Sequence, residues 1–120
     1  MPYHEPPKAN TEFPDINAFL EECFSTMKSK GHDYRQGSPD ALKNFKLDAL
    51  AMEIPMEKVW YIFAAKHWKA IQTFCAKGGQ LESEPIEGRI KDVIVYLLLF
   101  YKLVQEMKEK PVDSPQPAVL

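Results

Sequence analysis

Apolar residues recur at three- and four-residue spacing through most of this chain, and proline or glycine interrupts the pattern at intervals. Ile16, Phe19, Leu20, Cys23, Phe24 and Met27 follow the helical period, with Glu21, Glu22 and the lysines mostly on the opposite side. This predicts a first helix with Asp15 as N-cap, ending at Lys30, and Gly31 in the left-handed position beyond it. Ser38–Pro39 restarts a helix that carries Leu42, Phe45, Leu47, Leu50 and Ala51 and stops before Pro55, since the residue preceding proline avoids helical geometry. Pro55 then opens a third helix running to Lys77 and ended by Gly78–Gly79, with Val59, Trp60, Ile62, Phe63, Ala64, Ile71 and Phe74 as its apolar face.

The fourth segment is different. Ser83 is a good N-cap, Pro85 fits the first turn, and no breaker follows until Pro111, so one helix of about 25 residues is expected. Val93 to Tyr101 is an unbroken apolar run, shorter than the roughly 20 residues a bilayer requires. A helix that is apolar on nearly every side is expected to be buried on every side. It is therefore placed at the centre of a bundle or at an oligomer interface, with its acidic first turns at the rim.

No segment shows the two-residue period of a strand, and there is no internal repeat. The expected fold is all-α: a single four-helix bundle-like domain over residues 15–109, with a long buried C-terminal helix. An extended arm over 1–14, which holds four of the ten prolines, precedes it, and a disordered proline-rich tail over 110–120 follows. At 120 residues the chain can build a core without staples. A formal charge of −2 argues against a dedicated nucleic-acid binder. Cys23 and Cys75 lie inside predicted helices, far from any C-x-x-C pattern, and read as buried cytosolic thiols. With no leader, membrane span or lipidation motif, the cytoplasm is the expected location.

Candidate chemistry is sparse. Glu84, Glu87 and Asp92 lie within about 140° of arc at the start of the last helix. Clustered carboxylates are the hard oxygen ligands that Mg²⁺ takes. Equally, acids in a first turn are stabilised by the helix dipole, which accounts for Glu84 and Glu87. Asp92 is harder to dismiss: it sits further in, beside the apolar run, where an unpaired carboxylate is costly. Metal or substrate ligation and a structural ion pair with Arg89 or a lysine of the third helix both stay open. Lys58, Lys66 and Lys69 share about 80° of the third helix, as a phosphate-holding stripe or simply a solvated face. His67, between them, reads more readily as a partly buried structural histidine than as a base. His32, Asp33 and Tyr34 are expected in a loop over a ligand, or merely closing a turn. Phosphate-binding glycine loops, nucleophile triads and H-E-x-x-H signatures are absent.

HDYRQGSPDALKNF followed by SEPIEGRIKDVIVYLLLF resembles a group of small phage-encoded helical proteins. These are similar in turn to the nucleotide-modification-associated and MazG-like all-α nucleotide pyrophosphohydrolases. The resemblance covers roughly Lys30 to Gln105, resting on Glu84, Glu87, Asp92 and Tyr96 in E-x-x-E-x-x-x-x-D-x-x-x-Y, and more loosely on Asp33, Tyr34, Asn44 and Phe45. It implies a dimeric or tetrameric protein in the cytoplasm of a phage host. It further implies a nucleotide ligand and acidic helix positions that hold Mg²⁺ for attack by water on a nucleoside triphosphate. In that reading Glu84, Glu87 and Asp92 are the catalytic metal ligands. Lys66 and Lys69 hold phosphates, with Asp33, Tyr34 and Arg89 completing the substrate contacts. The chain departs from the MazG-like pattern in its first helix, which offers adjacent Glu21–Glu22 in place of E-x-x-E. The expected function is thus a Mg²⁺-dependent (d)NTP pyrophosphohydrolase. The alternatives are a non-catalytic nucleotide-binding or sequestering protein, and a phage interaction module that inhibits a host protein.

Overall fold

The computed structural model describes residues 12–34, 37–79 and 85–109, all as helices and their connections. The helices are α1 (Pro14–Tyr34), α2 (Lys43–Met52), α3 (Met56–Ala76) and α4 (Ile86–Glu109). The fold is all-α and bundle-like. Residues 1–11 of the expected N-terminal arm, the tail over 110–120 and Glu84 lie outside the described residues. The end of that arm is helical, since α1 opens at Pro14 and holds Asp15 in its first turn and not as its N-cap.

Local chemistry explains the boundaries, including those that differ from the sequence expectation. α1 does not stop at Lys30 but runs on through Gly31; a glycine inside a helix costs only about 1 kcal/mol relative to alanine and no proline follows at once. α2 starts at Lys43 instead of Pro39 because a polar turn intervenes. The Asp40 backbone N–H donates to Ser38 Oγ at 3.1 Å, and the Leu42 N–H donates to Asp40 Oδ1 at 2.9 Å. A hydroxyl and a carboxylate thus take N–H groups in a local turn that competes with the helix. Pro55 lies one residue outside α3, extended at φ −61° and ψ 148°. At the far end of α3, Gly78 and Gly79 have φ of +69° and +92°. The Gly79 N–H donates back to the Phe74 carbonyl at 2.9 Å, a closure that needs the left-handed backbone only glycine adopts freely.

α3 and α4 form an antiparallel pair, since Trp60 meets Tyr96 and Phe100 while His67 meets Asp92 and Tyr96. α2 packs on this pair through Phe45, whose ring lies 6.5 Å from Phe63 and 6.2 Å from Tyr96. The core joins Leu42, Phe45, Val59 and Leu103, with Trp60, Tyr96, Leu99 and Phe100 around it. α1 packs on α4. Cys23 is fully buried there, and Lys91 Nζ donates to Glu22 Oε1 at 2.8 Å.

Two expectations are corrected. Cys75 is exposed, leaving Cys23 as the buried thiol of the two. α4 is not covered all round: Leu97 is 55 % exposed and Tyr101 67 %, with Ile90 and Leu98 also open. Among the described residues α3 and α1 each pack on α4, and that packing leaves these four side chains open to this extent. No helix among them is long and apolar enough to cross a membrane.

Candidate functional site

On α4, Arg89, Asp92 and Tyr96 stand three and four residues apart, so they share the stripe that continues through Leu99, Phe100 and Leu103. On α3, Trp60, Phe63, His67, Ile71 and Phe74 form the matching stripe at the same spacing. The antiparallel register brings the polar ends of the stripes together. His67 Nδ1 lies 3.2 Å from Asp92 Oδ2, and the imidazole sits 5.0 Å from the Tyr96 ring centroid at 36°. One turn along, the Trp60 Nε1–H donates to the Tyr96 carbonyl at 2.7 Å. That oxygen belongs to the helix ladder too, but a carbonyl has a second lone pair to accept with. Trp60 also packs on Phe100, centroids 4.4 Å apart. The aromatic ladder fixes the register that sets His67 against Asp92.

The His67–Asp92 contact is close in distance but poorly aligned. The buried Nδ1 has no hydrogen bond that meets directional criteria, so the contact is better described as charge against dipole. His67 titrates below its usual value of 6.5. Burial is the largest cause, because it disfavours the charged form; the Asp92 carboxylate pulls the other way, and Lys66 and Arg89 push the value down again. His67 is therefore a neutral imidazole at pH 7. With its Nδ1 turned toward a carboxylate, the favoured tautomer carries its proton there and leaves Nε2 as an acceptor. That arrangement suits a hydrogen-bond acceptor or a proton acceptor.

The other expected site residues fall as follows. Lys66 and Lys69 are exposed on α3, and Lys66 is near enough to act on His67. Arg89 is half-buried at the same rim and engaged in a contact of its own. Glu87 is exposed, about 140° around α4 from Asp92. His32, Asp33 and Tyr34 are not in a loop but in the last turn of α1, because the helix continues past Gly31. The side chains of Asp33 and Tyr34, and the whole of Glu84, lie outside the described residues. Asp92 finds its partner on α3, as one of the open readings had it, but the partner is a histidine and not a lysine. The signal was present: Trp60 and His67 are seven residues apart and share the stripe of α3's large apolar residues.

Mg²⁺ asks for several oxygen donors converging on one point. Among the described residues no three His, Cys, Asp or Glu side chains gather to hold a metal ion. Asp92 faces an imidazole, while Glu87 looks to another side of the helix, so this part of one chain does not make the oxygen set. A shallow open groove does exist on α1, between Leu20, Glu21, Phe24, Ser25 and Lys28, but none of the site residues lines it. No family model, curated protein or solved structure matches this chain.

Proposed function

We propose that this protein binds a nucleoside phosphate at the α3–α4 rim, as a nucleotide-handling helical protein of the MazG-like, phage-encoded type. The observation that carries the reading is the grouping around a neutral His67, with Asp92 Oδ2 at 3.2 Å and Lys66 and Arg89 near enough to act on the imidazole. Two permanent cations supply charge for phosphate oxygens, and Arg adds a planar fork of donors. The imidazole Nε2 offers an acceptor for a sugar hydroxyl or an exocyclic amine, and Asp92 orients the ring. The resemblance of the segment from Ser83 to Tyr96 supports the choice of a nucleotide over another anion.

Binding without turnover is the form that one chain's described residues favour, because their carboxylates do not converge. Mg²⁺-dependent pyrophosphate release, with Glu84, Glu87 and Asp92 as ligands, is the form the resemblance favours. The reading includes self-association into a dimer or tetramer, supported by the apolar side chains a single chain leaves open.

Calorimetric titration with a panel of NTPs and dNTPs, with and without Mg²⁺, tests it, the products being followed by anion-exchange chromatography. Saturable binding of a nucleotide recovered intact supports sequestering; recovery of monophosphate and pyrophosphate supports hydrolysis. Lys66→Ala is expected to weaken binding roughly tenfold in either case, the loss of one charge-assisted contact. No heat and no product across the whole panel overturns the reading.

A second reading has its own observation. Tyr61, Ile62 and Trp68 are all more than half exposed on the outer side of α3, which suits an interaction module that docks on a host protein. If Asp92→Ala left the biological effect intact while removal of either arm abolished it, this second reading would replace the first.

A further inference from the structure

We infer that two copies of this chain pair antiparallel through α4. The open side of that helix carries Ile90, Ile94, Leu97, Tyr101 and Val104 at alternating spacings of four and three residues. That is the a/d spacing of a two-helix seam. Its arc is centred opposite the stripe of Asp92, Leu99 and Leu103 that faces α3. α1 takes a third side, through Lys91. Along the seam Ile90, Leu97 and Tyr101 are exposed, and Ile94 and Val104 are half-buried.

The occupant is a second α4, running in the opposite direction. A twofold axis at Leu97 sets Leu97 against the partner's Leu97, and Ile90 against the partner's Val104, seven residues to either side. The charges that border the seam choose the direction. Glu87 lies in the first turn of α4 and Lys108 in the last; they stand ten and eleven residues from Leu97. In the antiparallel arrangement each Glu87 approaches the partner's Lys108, and the two helix dipoles oppose one another. A parallel arrangement sets Glu87 beside the partner's Glu87 and Lys108 beside the partner's Lys108, which repel. The contact is isologous, so it closes at two copies.

The size of the face agrees. A seam from Ile90 to Lys108 is about 27 Å long and covers on the order of 600 Å² per copy, at the small end of specific interfaces. A micromolar dimer is the expected result, not an obligate one. The inference does not depend on any ligand at the α3–α4 rim.

The test uses the full chain. Sedimentation equilibrium from 1 to 200 μM is expected to show a reversible monomer–dimer transition. Leu97→Glu is expected to weaken it at least a hundredfold while leaving the far-ultraviolet circular dichroism unchanged, since position 97 is exposed in the monomer. Direction is read by cross-linking in a Cys75→Ser background with a short bismaleimide. Ile90→Cys and Val104→Cys proteins are expected to link to each other when mixed, and neither to itself. Glu87→Lys alone is expected to weaken the dimer, and Glu87→Lys combined with Lys108→Glu to restore it. A clean monomer throughout the range overturns the inference, as does an assembly that Leu97→Glu leaves intact. Self-linking of Ile90→Cys overturns the antiparallel direction.

Discussion

His67 Nδ1 faces Asp92 Oδ2 at 3.2 Å across the α3–α4 contact, and this nitrogen has no better-aligned partner. Burial keeps His67 neutral, and Asp92 is the one influence acting to raise its titration point. Removing the carboxylate must therefore lower that point further. In Asp92→Asn, the His67 imidazole signals followed by NMR are expected to titrate at lower pH than in the parent, where they already titrate below 6.5. An unchanged or raised titration would mean that the contact is not formed in solution.

The same depression makes the fold sensitive to mild acid. The unfolded chain binds a proton at His67 near pH 6.5, whereas the folded chain resists it. Between the folded and unfolded values the unfolded state holds more protons, so stability rises with pH there. The contribution is complete above about 6.5 and disappears as pH falls through the lower, folded value. Urea midpoints measured between pH 5 and 8 should show this slope, and His67→Gln should flatten it.

Lys46 ties the start of α2 to the end of α4. Its Nζ donates to Asp40 Oδ2 at 2.7 Å and to Glu106 Oε1 at 2.9 Å. Burial alone would raise the Asp40 carboxyl, but the Lys46 hydrogen bond, the Leu42 N–H and the charges of Lys46 and Lys102 hold it below its usual range. Lys46 is likewise held above the usual lysine value: burial lowers it, and its two acidic partners outweigh that. Replacing Lys46 with Met leaves both acids facing each other, and Glu106 Oε2 is buried without a hydrogen-bond partner already. Because the three side chains are 29–39 % exposed, water screens the network, and a loss of about 1 kcal/mol is expected. It should shrink in 1 M NaCl. A larger, salt-independent loss would point to packing by the lysine stem instead.

Leu103 is fully buried between α2, α3 and α4, while Leu50 on the outer side of α2 is 77 % exposed. Leu103→Ala is expected to destabilise by about 3 kcal/mol, and Leu50→Ala by less than about 0.5 kcal/mol. Equal effects from the two, by chemical denaturation, would be inconsistent with the position of the core.

Glu53 closes α2 in the left-handed region at φ +57°. A residue with a Cβ is strained there, whereas glycine is not. Glu53→Gly is expected to stabilise the fold by roughly 0.5–1 kcal/mol, the strain released less the added freedom of the unfolded chain, a gain readable as a raised Tm. A fall in Tm would mean that the Glu53 side chain makes a stabilising contact worth more than the strain.

The amino-acid sequence alone determined that there are four helices, nearly where they lie, and which face of each is apolar. Those properties follow from signals only a few residues apart: the 3–4 spacing of apolar side chains, Pro55, and the Gly78–Gly79 closure. It misjudged the boundaries where a polar side chain competes for the backbone, as Asp40 does, or where a single glycine is too weak a stop, as at Gly31. It marked Asp92 as a carboxylate in need of a partner but did not supply His67. That pairing depends on the antiparallel register of α3 and α4, which the Trp60–Tyr96 and Trp60–Phe100 contacts decide across 36 to 40 residues of chain. Only the tertiary structure could leave Cys75 outside and one side of α4 open. Periodicity states that a face is apolar, and the packing angle of its neighbours decides whether anything in the same chain covers it.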